Sequence, residues 1–467
     1  MAGSISLLSF ISLFFSIFIA SSFSASPPKP TTITIPISPF PKHPSSSSDP
    51  FQSLNFFASA TISRARHLKR PKSNSSLTKT PLFPRSYGGY SISLSFGTPP
   101  QTISFVMDTG SSLVWLPCTS RYLCSECSFP NIEPTKIPTF MPKFSSSSKL
   151  VGCRNPKCGW IFGDNVKCEG CEPSSKNCSQ TCPAYLIQYG SGSTVGKLLS
   201  ETLDFPEKTV SDFLVGCSLL SIRQPSGIAG FGRGQESLPS QLGLSKFSYC
   251  LISHKFDDTP QSSDLVLYSG SNSGDTKNDG LSYTPFQKNP GTSKSAFRDY
   301  YYLLLRKVIV GGESVEIPYK YLVPGSDGNG GTIVDSGSTF TFMEKPVFQA
   351  VSQAFTKQMA NYTRARDVES RTGLQPCFDI SREKSVIFPE LVFKFKGGAK
   401  MALPITNYFS LVTDSGIACL TIVTDGVAGP EVDIGPAIIL GNYQQQNFHI
   451  EYDLENDRFG FRKQSCQ

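Results

Sequence analysis

From about residue 86 onward, apolar and polar residues alternate in short runs broken by Gly and Pro. In "GGYSISLSFGTPPQ", for example, Ile92, Leu94 and Phe96 take every second position. A period of two predicts mostly β structure. One segment departs from it: "EKPVFQAVSQAFTKQM" places Val347, Ala350, Val351 and Phe355 at helical spacing, with Pro346 near the first turn, and predicts the clearest helix. The runs "SDLVLY" and "LSYTPF" flank a polar stretch, residues 269–280, which reads as a domain linker or, preferred here, as the tip of a hairpin in which the two runs pair. A second β-rich half opens near "RDYYYLLLRKVIVGG".

The N-terminal residues read differently. "LLSFISLFFSIFIA" followed by the small residues "SSFSA" predicts a secretory signal over residues 1–25, with an uncleaved anchor as the lesser alternative. No other apolar run is long enough to span a bilayer, so no membrane association is expected once the signal is removed. Residues 26–85 are rich in Ser, Pro, Lys and Arg with little periodicity, and order is expected to begin after them. A length of 467 exceeds one typical core and implies two domains, taken here as lobes 86–295 and 296–467. The chain carries 43 Lys and Arg against 36 Asp and Glu, a net +7, but nine of the basic residues and a single acid, Asp49, lie in residues 1–85. The body is therefore near neutral, which argues against nucleic-acid binding. We read residues 26–85 as a basic pro-segment that covers an acidic cleft until it is removed; the plainer reading is a solvated linker.

Two stretches repeat one order of residues. "FVMDTGSSLVWL" (105–116) and "TIVDSGSTFTFM" (332–343) each run apolar, Asp, hydroxyl residue, Gly, hydroxyl residues, apolar. Asp108 and Asp335 follow similar strand, Gly-turn, strand patterns upstream, "YSISLSFGTPPQTISFVM" and "YYLLLRKVIVGGESVEI". A carboxylate at the end of an apolar strand is costly to bury unless hydrogen bonds or a second charge hold it. Two such acids, one from each related lobe, can share a proton when they converge: like charges resist joint ionisation, so the pair supplies a base and an acid together. Gly110 and Gly337 allow tight turns there, and the neighbouring hydroxyls can fix the carboxylates. Asp-x-Gly alone is ordinary turn chemistry, and a third copy, Asp414-Ser415-Gly416, lacks the downstream hydroxyls and reads as a hairpin turn.

The remaining chemistry is sparser. Nine of fourteen cysteines crowd between Cys118 and Cys182. Cys124-x-x-Cys127 and Cys168-x-x-Cys171 raise a zinc site, but their separation and the interleaved cysteines favour disulfides behind a secretory signal. Their connectivity stays open. Asn74, Asn177 and Asn361 begin glycosylation sequons. His43, His67, His254 and His449 form no nucleophile arrangement, and the glycines of "GFGRG" lack the Lys-Ser/Thr of a phosphate loop.

The two Asp motifs and their β-rich setting resemble the pepsin-like aspartic proteases over roughly residues 86–467. The cysteine-rich insertion after "WLPC" and the phrase "GFGRGQESLPSQLG...KFSYCL" narrow the resemblance to plant nepenthesin-like members. The resemblance implies a bilobal, mostly β fold with two related barrel-like lobes and a cleft between them. It implies catalytic roles for Asp108 and Asp335, an interlobe grip by Thr109 and Ser336, and outer hydrogen bonds from Ser111 and Ser338. "YGSGS" would be the flap, with Tyr189, Gly190 and Ser191 over the substrate and Trp115 bonded to Tyr189. "GIAG" (227–230) and "AIILG" (437–441) would thread behind the motifs, and Cys377 would pair with Cys419. The chain departs in having Ser336 where pepsin has Thr, and in lacking the saposin-like insertion of some plant relatives.

The expected activity is that of an aspartic endopeptidase that activates water between two carboxylates at acidic pH, acts on polypeptides, and needs neither cofactor nor metal. Two motifs in one chain make a monomer the expectation. The alternative is a catalytically silent binding protein on the same fold, like the xylanase-inhibitor-like or lectin-like relatives, which typically lose catalytic motif residues. The expected location is extracellular, in the apoplast or cell wall, with the vacuole as a second possibility.

Overall fold

The structure, a computed structural model, describes residues 31–39, 50–69 and 88–466 other than 128–136, 164–165, 167, 169–170, 172–177, 191, 207, 225, 254–261, 270–279, 292–294, 413–415 and 427–434. The signal, Asn74, Asn177, Ser191, His43, His254 and the Asp414 turn lie outside these residues. The strands on either side of that turn, Phe409–Val412 and Ile417–Leu420, do pair antiparallel. Among the described residues no helix is long and apolar enough to cross a membrane.

The fold is mostly β and two-lobed. Among the described residues, twenty strands join into one continuous sheet, with two further four-stranded sheets in the second lobe. Each lobe repeats one local design. In the first, Gln101–Asp108 lies parallel to Gly227–Gly230, so Asp108 is opposite Gly230, and Trp115–Pro117 returns antiparallel at Ile228. In the second, Thr332–Val334 lies parallel to Ile438–Leu440, with Thr341–Met343 returning antiparallel. Both Asp residues thus leave the C-terminal ends of buried strands, as the apolar runs before them dictate.

The apolar-Gly strands must approach the motif loops closely. A Cβ on Gly230 would fall 2.2 Å from the Ser112 carbonyl oxygen, and one on Gly441 2.3 Å from that of Phe340. Backbone cannot give way as a flexible side chain can. Gly230→Ala is therefore expected to lower unfolding stability by about 3 kcal/mol through overpacking. Gly152→Ala, whose Cβ meets nothing within 4 Å, serves as the tolerated control in the same denaturant titration.

A six-stranded antiparallel sheet underlies both lobes, in the order Thr31–Pro39, Ser263–Ser269, Leu244–Cys250, Phe448–Asp453, Arg458–Lys463, Ser282–Gln287. Aromatic side chains interlock on it: Phe247 stacks on Tyr452 at 4.4 Å, and Tyr301, from the neighbouring strand Tyr301–Leu303, meets Tyr452 edge-on at 4.7 Å. This sheet corrects two expectations. Ser263–Ser269 and Ser282–Gln287 do not pair with each other as a hairpin. The first has both edges filled, by Leu244–Cys250 and by residues 31–39, while the second lies at the opposite border beside Arg458–Lys463. Nor does order begin after residue 85. The leader supplies the border strand Thr31–Pro39, paired over seven residues with Ser263–Ser269, and a helix, Pro50–Lys69.

The helix Lys345–Gln358 forms as expected, burying Val347, Phe348, Val351 and Phe355. All fourteen cysteines are in disulfides: 118–217, 124–127, 153–168, 158–182, 171–178, 250–466 and 377–419. The Cys377–Cys419 pair implied by the resemblance is present. Cys168 and Cys171 bond to different partners, and among the described residues no group of three or more His, Cys, Asp or Glu could hold a metal.

Candidate functional site

Where the lobes meet, the two motifs face each other with near two-fold symmetry. Thr109 N–H donates to Ser336 Oγ at 3.1 Å, and Ser336 N–H donates to Thr109 Oγ1 at 2.8 Å. Thr109 Oγ1 then donates to the Val334 carbonyl (3.5 Å), and Ser336 Oγ to that of Met107 (3.0 Å). Each hydroxyl therefore both accepts from and donates to the opposite strand end, and both are buried. A Ser serves here as well as a Thr, because only the hydroxyl is used.

This grip brings the carboxylates together. Asp108 Oδ1 accepts from Gly110 N–H at 2.9 Å and its Oδ2 from Ser111 Oγ at 2.5 Å. Asp335 Oδ1 accepts from Gly337 N–H at 2.9 Å and its Oδ2 from Ser338 Oγ at 2.6 Å. Space across the lobes requires glycine in both motifs: a Cβ at position 110 would lie 2.6 Å from Asp335 Oδ1, and one at 337 would lie 2.5 Å from Asp108 Oδ1. Close approach to the opposing acid, more than the turn alone, fixes these two residues.

The segment expected to act as a flap is a hairpin. Tyr185–Gln188 and Ser193–Phe205 make an antiparallel hairpin closed by Tyr189 N–H donating to the Gly192 carbonyl at 2.6 Å. Trp115 Nε1 donates to the Tyr189 hydroxyl at 2.8 Å. Burial raises the Tyr189 hydroxyl above its ordinary value, and the nearby Asp108 raises it further, so it stays a neutral hydrogen-bonding group.

Sequence reasoning missed what lies between the acids. Arg64, from the leader helix, reaches both: its Nη2 donates to Asp108 Oδ1 at 2.7 Å and its Nε to Asp335 Oδ2 at 3.2 Å. The helix passes beneath the flap so closely that a Cβ on Gly190 would fall 2.4 Å from Arg64 Cα. Thr61 Oγ1 accepts from Phe340 N–H at 2.9 Å, directly beyond the second motif. Leu54, Phe57, Ala58 and Ala65 bury themselves in the second lobe's core with Tyr300, Phe342 and Val368, and Phe57 meets Phe340 edge-on at 6.2 Å. On the other side of Arg64, Arg66 reaches Asp425. The available signal was the spacing of Leu54, Phe57, Ala58, Thr61 and Ala65 along one helical face, with Arg64 on the same side.

Charges at this centre are strongly linked. Burial alone would lower the Arg64 guanidinium, but Asp108 and Asp335 outweigh it and raise it further above its ordinary range. Burial raises Asp108; Arg64 opposes and Asp335 reinforces, and the net direction is up. At Asp335 burial also pushes upward, yet Arg64 and the bonds from Ser338 and Gly337 prevail and hold it below the usual carboxylate value. One acid is thus inclined to keep a proton and the other to lose it, which is the division a shared-proton pair requires. Asn361 lies elsewhere, exposed in the turn after the helix Lys345–Gln358.

Comparison with known proteins shows the family and the fold. The families described as "Xylanase inhibitor N-terminal" and "Xylanase inhibitor C-terminal" match residues 90–267 and 300–463. A probable aspartyl protease of Arabidopsis thaliana is 32% identical, over 81% of this chain and 82% of its own. Aspartic proteinase nepenthesin-2 of Nepenthes gracilis is 31% identical, over 86% and 83%. Among solved structures, EDGP covers 93% of this chain and 95% of its own at 19% identity with a TM-score of 0.63. The soybean basic 7S globulin covers 93% and 97% at 16% identity with a TM-score of 0.59; these two likenesses concern the fold.

Proposed function

Because the chain belongs to the plant pepsin-like aspartic protease family, we propose that it is an endopeptidase hydrolysing polypeptides in acid once its leader has left the cleft. The observation that carries this reading is the convergence of Asp108 and Asp335 on a single guanidinium. The place that Arg64 fills is where a water molecule and a scissile amide would sit. The ionised carboxylate takes a proton from the water as its oxygen attacks the amide carbon, while the protonated carboxyl donates to the carbonyl oxygen. The tetrahedral intermediate then collapses with cleavage of the C–N bond after the nitrogen gains a proton, and the pair returns to one shared proton. Tyr189 and the flap close over the extended substrate and exclude water.

The described chain is then a latent form, with residues 26–85 as pro-segment and Arg64 as its plug. Cleavage beyond the leader helix would free the site. Seven disulfides suit an oxidising compartment, in keeping with delivery to the apoplast, cell wall or vacuole. The matched family descriptions support a second reading, a binding protein for xylanases. Against it stands the complete set of groups around both carboxylates.

Acid-treated purified protein is expected to digest denatured globin at low pH, and a statine-type inhibitor, which resembles the tetrahedral intermediate, should block it. Failure to hydrolyse any protein after removal of the leader, together with tight binding of a xylanase, would instead establish the second reading.

A further inference from the structure

Beside the catalytic pair, the leader makes a second ionic contact within the cleft. Arg66 lies two residues past the guanidinium that bridges the aspartates. Its Nε lies 3.9 Å from Asp425 Oδ2, and its Nη2 donates to the Asp425 backbone carbonyl at 3.4 Å. The burial is lopsided: the Arg66 side chain is 53% exposed and that of Asp425 only 6%. Asp425 is therefore an acid of the cleft wall that the leader covers, while Arg66 gives up little of its hydration.

The position of Asp425 is fixed relative to the catalytic centre. It follows the strand Ile422–Val423, which runs parallel to Thr341–Phe342, the strand leaving the Asp335 motif. The leader helix lies against both strands. When the leader departs, Asp425 loses the cation that faces it, and a bound segment that covered it as the leader does would again place a charge pair where it is worth more than at an open surface.

We propose that Asp425 is a specificity-determining residue, selecting polypeptides that place a Lys or Arg side chain near the scissile bond, with the leader's Arg66 standing in for that side chain before activation. The inference rests on the endopeptidase reading above. The leader, with Arg64 between Asp108 and Asp335, carries Arg66 to Asp425 two residues on; a substrate taking the leader's place would bring its own side chains there, and a basic one would restore the contact that Arg66 made. A guanidinium or ammonium can reach both the carboxylate and the backbone carbonyl, as Arg66 does; an acidic side chain there would meet like charge.

The test uses the full chain activated in acid and a mixed peptide library, with cut sites mapped by mass spectrometry. The wild type is expected to show Lys and Arg enriched at one fixed position within about three residues of the cut. Between paired peptides with Lys or Met at that position, Asp425→Asn should lower the kcat/KM ratio roughly tenfold. Asp425→Glu should keep the preference, and Asp425→Lys should shift it toward Asp and Glu. Equal enrichment in the wild type, Asp425→Asn and Asp425→Lys would overturn the assignment. So would a wild type that cuts many sites with no basic preference, although the endopeptidase reading would then stand. A wild type that cuts nothing would remove both.

Discussion

Asp108→Asn and Asp335→Asn should each lower kcat/KM on a quenched peptide at acid pH by roughly a thousandfold, the scale at which positioned acid–base groups act, while the protein still folds. Each replacement keeps a carbonyl oxygen to accept from Gly110 or Gly337 N–H, as the native Oδ1 does at 2.9 Å. The hydroxyls of Ser111 and Ser338 can rotate to find another acceptor. The lobes are held by Thr109 and Ser336, which neither change touches. What disappears is the capacity of two acids to hold one proton between them, because an amide titrates neither up nor down in this range. Self-processing would fail in these variants, so the leader must be cut by an added protease before rates are compared. Near wild-type rates in either variant would remove the mechanism.

Arg64→Met should abolish most of the latency. The native guanidinium lies between two buried carboxylates, and deleting one member of such a buried network typically costs about 3–5 kcal/mol. Leu54, Phe57 and Ala58 would still favour docking of the leader helix, so the variant should fold with the leader weakly bound. The sign of the pH effect follows from the same contacts. Arg64 pulls down the proton affinity of both Asp108 and Asp335, so docking of the leader expels protons, and by linkage added protons expel the leader. For Asp335, whose value is depressed, the stabilising contribution is present above the ordinary carboxylate range and is lost as pH falls through its lowered value. Asp108, whose value burial raises, stabilises the folded chain below the ordinary carboxylate range, a contribution that fades as pH rises through the raised value; toward leader docking it acts as Asp335 does, because Arg64 lowers it. The protonation of Asp108 removes one partner of Arg64, and that of Asp335 removes the other.

Binding of a fluorescent statine-type inhibitor reports when the cleft opens. In the wild type, opening is expected only in acid. In Arg64→Met its midpoint should rise by at least about one pH unit, since one unit per proton corresponds to about 1.4 kcal/mol. An unchanged midpoint would show that the apolar face of the helix, and not the ion pair, keeps the site shut.

The parts of this site legible in the sequence were those in which chemistry demands identity at short range. Asp108 and Asp335 sit in repeated motifs because each needs its own Gly N–H and hydroxyl, and those donors come from two and three residues downstream. The strands "GIAG" and "AIILG" could be matched because backbone contact tolerates little besides glycine there. Arg64 was hidden for the opposite reason. It belongs to a basic run that reads as solvated charge, and only the docking of its helix on Phe340 and Tyr300 turns one of several cations inward. Local pattern also misled at Ser263–Ser269 and Ser282–Gln287. Both are strands, but the partner of a strand is settled by long-range pairing, and each found neighbours far from the other. The interleaved disulfides 153–168, 158–182 and 171–178 were likewise beyond spacing alone.

The border strand Thr31–Pro39 gives maturation a second meaning. A cut that discards the whole leader removes the plug, and it also peels the outermost rung from the ladder under both lobes, leaving the backbone of Ser263–Ser269 without seven residues of pairing. A bare seam of that kind recruits whatever extended chain is at hand. Loss of the leader would therefore trade a sealed margin for an open one, and leave the two lobes with a place where another strand can be stitched on.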